Sequence, residues 1–212
     1  MKHTKLFSLL LVTSLFVISP SAIADNYSKL WKQVESARQK DLPRTQIEIL
    51  KNIANKALEE QNYGQLMKAE FSSINVWGSI STDSILPQLK RIEHETTKRS
   101  KDKALSATYY SVLGMAYRDI TIGGIKDLKK SETFFSKSLE NIDILSKKKA
   151  LDYEPFIVKG IDSQIFNNDL LSVLGYNAKR FKLLHDYYEK SGNRPATLIT
   201  AIEILSQDRD VD

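Results

Sequence analysis

Apolar residues recur every third or fourth position along nearly the whole chain, short turn signals interrupt them, and no segment of any length alternates apolar with polar. That period demands helices that each hide one face. It is sharpest from Leu30 to Phe71. Tyr27, Leu30, Trp31, Val34 and Ala37 form one stripe; Ile47, Leu50, Ala54, Ala57 and Leu58 a second; Tyr63, Leu66, Met67, Phe71 and Ile74 a third. Asp41-Leu42-Pro43 ends the first helix and opens the second, because proline pushes Leu42 out of helical backbone yet fits a first helical turn. Asn62-Tyr63-Gly64 supplies the next break. Stops this short lay consecutive helices side by side and antiparallel. The expected fold is therefore all-α, with eight or nine helices in antiparallel hairpins stacked as a tetratricopeptide-like solenoid.

The same grammar continues. After the turn-rich Gly78 to Asp83, a helix carries Ile85, Leu86, Leu89 and Ile92. The polar run from Glu93 to Lys103 has no apolar period and reads as a solvated helix end plus linker. From about Asp102 a dense stripe holds Leu105, Tyr109, Val112, Leu113, Ala116, Tyr117 and Ile120, in which Leu113-Gly114 and Tyr117 reproduce the L-G-x-x-Y core of a tetratricopeptide first helix. Thr121 to Ile125 contains Gly123-Gly124 and is expected to turn. The next helix is expected to bury Leu128, Phe135, Leu139, Ile142 and Leu145, with Ser131 and Ser138 at its small positions. Pro155 and Asn167-Asn168-Asp169 mark residues 149–169 as an irregular connector, with a short strand the one exception to be watched for. Leu170, Leu171 and Leu174 open a short helix. Ala178, Phe181, Leu184, His185 and Tyr188 then line one face of the next, while Leu183 and Tyr187 give it a second apolar face, as for a helix packed by two neighbours or by a partner. Gly192 stops it. Asn193 and Pro195 start a last helix whose expected buried stripe is Leu198, Ile202 and Leu205.

The beginning of the chain bears on compartment. Lys2 and Lys5, the apolar stretch from Leu6 to Ile18 and Ala22-Ile23-Ala24 read as a secretory signal cleaved before Asp25. The expected organisation is signal peptide 1–24, hairpin region 25–148, connector 149–169, C-terminal helices 170–206 and polar tail 207–212, exported to the periplasm or cell envelope. Losing Lys2 and Lys5 takes 31 basic residues to 29 against 26 acidic, a mild net charge of +3. No concentrated basic face marks a nucleic-acid binder. Cysteine is absent, which removes disulfides, thiol catalysis, cysteine-type zinc sites and a lipid-attachment cysteine. After cleavage no stable membrane insertion is expected.

The run LWKQVESARQKDLPRTQIEIL with YGQLMKAEF after it, and FIVKGIDSQIFNNDLLSVLGYNAKRFKLLHDYYEKSGNRPATLITAIEIL further on, resemble the N-terminal helical region of exported alpha-2-macroglobulin-family proteins of Bacteroides-type bacteria. The two matches come in the family's order. The resemblance implies a scaffold or docking role beside a protease-trapping machine whose bait segment, β-sandwich domains and thioester have no counterpart here.

Reactive constellations are few. His3 leaves with the signal. His94 sits between Glu93 and Glu95, and His185 before Asp186; adjacent residues on a helix point to different sides, so only Glu189 is expected to share the face of His185. No H-E-x-x-H, G-x-S-x-G or phosphate loop occurs. Paired carboxylates such as Glu59-Glu60 fall on solvated helix ends. The expectation is a non-enzyme without metal or cofactor, whose partner is a protein or the downstream domains of a larger protein. Tyr110, Leu183 and Tyr187, off the main stripes, are the candidate partner contacts. The alternative is a free-standing periplasmic tetratricopeptide-like adaptor, and the less favoured one a small envelope hydrolase built around His185.

Overall fold

The computed structural model describes residues 20–120, 126–158 and 160–209. Among them are ten α-helices and no strand: α1 (Pro20–Gln39), α2 (Pro43–Glu59), α3 (Tyr63–Ile80), α4 (Ile85–Lys98), α5 (Lys103–Asp119), α6 (Leu128–Ser138), α7 (Ile142–Leu145), α8 (Leu170–Asn177), α9 (Phe181–Lys190) and α10 (Arg194–Arg209). The molecule is all-α. Most of the expected signal peptide, the turn from Thr121 to Ile125 and the end of the polar tail lie outside the described residues. None of the described helices is long and apolar enough to cross a membrane.

Four connections are built alike. After α1, α2, α8 and α9 the chain makes one residue of left-handed backbone, at Asp41, Gln61, Lys179 and Gly192. The next amide then reaches back five residues to a helical carbonyl: Leu42 to Ala37 at 2.9 Å, Asn62 to Ala57 at 2.8 Å, Arg180 to Gly175 at 2.9 Å and Asn193 to Tyr188 at 2.9 Å. This is the Schellman ending, which satisfies carbonyls that the helix leaves orphaned and turns the chain within three residues. Asn62 and Asn193 then cap the following helices through their side-chain oxygens. Gly64, expected to help break the chain, instead sits inside α3, where a Cβ would lie 1.9 Å from the carbonyl oxygen of Glu154. Its role is close approach between α3 and the segment after Ala150–Tyr153, not a turn.

Two apolar clusters hold the helices. The smaller joins Tyr27, Leu50, Ile53, Ala57, Leu66 and Ala69 of α1, α2 and α3. The larger takes Met67 and Ile74 from the opposite side of α3 and runs through α4, α5 and α6 to α8, α9 and α10. α3 is thus a shared wall. Leu50, Leu113 and Leu184 are buried, and each hidden leucine contributes on the order of 2 kcal/mol through removal from water. Gly114 lies under the ring of Phe135, and the hydroxyl of Ser131 donates to the Gly114 carbonyl at 2.7 Å. Ser131 and Ser138, the small positions, are both buried.

Several stripe assignments are corrected. The helix expected through Leu145 breaks at residues 139–141, giving α6 and α7 and raising the helix number. Leu128 and Leu58 are exposed, and Ile53 takes the buried place in α2. α10 hides Ala196 and Thr200 while Leu198 and Ile202 are 62% and 49% exposed and Leu205 is also exposed. Its apolar residues surround the axis, so periodicity could not choose a face. The small side chains face inward, which lets α10 lie close against α9. The connector contains two 3-10 turns, Ala150–Tyr153 and Ile161–Gln164, and a single antiparallel bridge between Lys149 and Asp169. The polar run after Ile92 is not uniformly solvated: Thr96 is fully buried, and Glu93 and Arg99 enter the networks described below.

Candidate functional site

Leu183 and Tyr187 come together in an open groove of about 860 Å³ between α9 and the segment from Glu140 to Ile144. The sequence produces this locally. Phe181, Leu184 and Tyr188 anchor α9 in the core, and the next residue round the helix in each turn therefore looks sideways toward α7. Leu183 and Tyr187 are half-buried and rest on the core from behind; the Tyr187 ring meets that of Tyr188 edge-on at 5.2 Å. Ile142 and Ile144 face them across the groove, the latter exposed. Charges of both signs, including Asp143, Lys182, Asp186 and Lys190, form the rim. An apolar floor with a mixed polar rim is the anatomy of a protein contact.

Tyr110 is elsewhere. It stacks on Phe134 with ring centroids 5.8 Å apart and has the Lys137 ammonium 5.4 Å from its ring centre, in the seam between α5 and α6. His94 is exposed on α4. His185 is half-buried rather than a core residue, with Nδ1 3.4 Å from Asp186. The ligand-type atoms of His185, Asp186 and Glu189 all fall within 4.8 Å of one another. That corrects the expectation that neighbours 185 and 186 cannot converge. However, the Lys182 ammonium already pairs with Asp186 and, as the largest influence, holds its carboxyl below the usual range. Of the three, only Asp186 borders the groove.

Three polar networks, two around buried carboxylates and one around a half-buried one, escaped the sequence. Glu70 on α3 accepts two bonds from the Arg99 guanidinium, at 2.9 and 3.1 Å, and one from the Tyr109 hydroxyl. Glu93 accepts from the Tyr117 hydroxyl and, at 2.7 Å, from Lys130. Asp169 caps α8 through the Ser172 amide and accepts the Tyr188 hydroxyl at 2.9 Å. Burial, foremost, pushes the Tyr109, Tyr117 and Tyr188 phenols up, and also raises the Asp169 carboxyl. These phenols stay protonated and bonded, so the networks tie helices together rather than poise a base. A carboxylate within an apolar stripe, Glu70 between Met67 and Ile74, was the available clue.

No protein-family model, no curated protein and no solved structure matches this chain.

Proposed function

We propose that this chain is an exported, non-catalytic helical module that binds a protein, its hairpins stacked in the manner of tetratricopeptide repeats. The observation that carries the proposal is the α7–α9 groove, whose Leu183 and Tyr187 present half-buried apolar surface inside a charged rim. A static apolar floor of this kind suits a partner's side chains better than a reaction, which would need a nucleophile and a base in reach of one another. The exposed apolar face of α10 adds support, since a helix apolar on all sides is normally covered. The resemblance to the N-terminal region of exported alpha-2-macroglobulin-family proteins makes the partner a downstream domain or an envelope neighbour of such a protein, without bait or thioester function in this chain. The free-standing adaptor differs only in partner, and the DNA that follows the reading frame separates them: coding capacity for β-sandwich sequence favours the larger protein.

A photoreactive phenylalanine analogue at Tyr187 tests the proposal in intact cells. The expected outcome is a discrete crosslinked species that disappears when Leu183→Asp is added and is absent when the probe stands at exposed Lys101. Equal adducts at positions 187 and 101 would refute it. Export is tested by fusing residues 1–24 to a reporter active only outside the cytoplasm.

A further inference from the structure

A second cleft, of about 330 Å³, lies across α3 with α2 on one side and α4 on the other, away from the α9 groove. Its floor is apolar, built from side chains such as Leu50 and Ala69, and Trp77 stands half-buried in its wall. Its polar lining is one-sided. The only carboxylate there among the described residues, Glu70, is already engaged by Arg99 and Tyr109. Lys51 and Arg91 are exposed at the cleft, and among the described residues neither forms an ion pair. Arg91 uses its Nε on Gln88 at 3.1 Å, and among the described residues no bond occupies its terminal nitrogens. The Ser73 hydroxyl and the Trp77 indole N–H are two further donors without a partner among the described residues.

Two unpaired cations and spare donors above an apolar floor select an anion joined to apolar substance. A bare inorganic anion would leave the floor and the indole uncovered. An acidic residue flanked by apolar ones in an extended peptide would meet both, with its carboxylate between Lys51 and Arg91 and its neighbour's side chain on Trp77. We propose that this cleft binds an acidic, apolar-flanked peptide segment of a protein partner. The choice of a peptide over a free acid rests on the protein-binding function proposed above, whereas the anion preference rests on the cleft alone.

The chain has two tryptophans, so a Trp31→Phe background excited at the red edge, where tyrosine does not absorb, reads Trp77 alone; the difference between wild type and Trp77→Phe gives the same readout without altering Trp31. The probe is a blocked hexapeptide of alternating glutamate and leucine, with the glutamine-leucine peptide and free glutarate as comparators. The expected result is a saturable change in Trp77 emission, weakened about tenfold or more by Lys51→Gln with Arg91→Gln and weakened again by added salt. Both substitutions are at exposed positions, and circular dichroism checks that the helices persist. Equal binding of the glutamine peptide, indifference to the double substitution, or no saturable signal would overturn the proposal. Glutarate binding as tightly as the peptide would overturn its peptide part and mark a small-acid site. Crosslinking at Tyr187 reads the other groove, so either proposal can fail alone.

Discussion

The two ends of the helical stack share their turns and differ in their outer faces. α1 and α2 are joined through left-handed Asp41, and α9 and α10 through left-handed Gly192, each with the same amide-to-carbonyl bond five residues back. Beyond the turns the likeness stops. The outward side of α1 is polar, with Lys29, Lys32, Gln33 and Ser36 exposed, whereas α10 exposes Leu198 and Ile202. The cores behind them differ too. α1 and α2 close with one side of α3 over a small cluster, and α9 belongs to the cluster that runs through most of the molecule. Local backbone geometry therefore dictates how one helix follows another. Side chains on the outer face dictate whether the stack can stop there, because a polar face closes it and an apolar face calls for cover.

The largest effect that sharpens this comparison is in the cores. Leu184→Ala, where the leucine fills the space beside Gly175, should cost about 3–4 kcal/mol in denaturant unfolding, and Leu50→Ala in the smaller cluster about 2–3 kcal/mol. Indistinguishable losses with identical cooperativity would erase the division into two cores. Next comes the α1 contact. Tyr27 donates to Glu60 at 2.6 Å, and Tyr27→Phe should cost about 1 kcal/mol. The Lys56 bond, then the Tyr27 bond, hold Glu60 below its ordinary value of 4.5. With the folded value depressed, this contribution is present above that pH and is lost as pH falls through the folded value. The protection factors of α1 amides, after correction for the intrinsic slowing of exchange in acid, should fall there sooner than those of α9, and Tyr27→Phe should reduce the acid dependence.

Smaller effects test the turns. Gln61→Gly and Lys179→Gly relieve left-handed backbone at non-glycine residues and should each raise stability by about 0.5–1 kcal/mol, with thermal unfolding as the measurement. A gain at one end only would show that the turns are less alike than their hydrogen bonds. The smallest effect on stability falls on the outer faces. Leu198→Gln with Ile202→Gln should change the unfolding free energy by no more than about 0.5 kcal/mol. The same pair should lower binding of a dye specific for apolar surface, and Lys29→Leu with Lys32→Leu should raise it.

Much of this architecture was legible in the residues. The stripes of α1 and α2 have one main apolar side each, and a period with one solution names its buried face, whereas α3 buries Leu66 and Ala69 on one side and Met67 and Ile74 on the other. Leu42-Pro43 and Gly192 carry turn chemistry in their own covalent structure. α10 defeated the same method, because the run ATLITAIEIL offers apolar residues in every direction and burial then depends on which side chains are small enough to let α9 approach. The polar networks were hidden for a related reason. Glu70, Arg99 and Tyr109 are separated by 29 and 39 residues in their pairings, and no local pattern links them. Of the candidate contacts, Leu183 and Tyr187 were legible as a second face on one helix; that Ile142 and Ile144 would stand opposite followed only from the break after Ser138.

The sequence by itself determined that this protein is helical and where most helices start and stop, since hydrophobic period, proline and capping residues act over one or two turns of chain. Tertiary structure alone decided which apolar faces are covered, which carboxylates are neutralised and which cations stay unpaired. Those outcomes depend on atoms brought together from distant parts of the chain, whose competition for the same buried space no single helix contains.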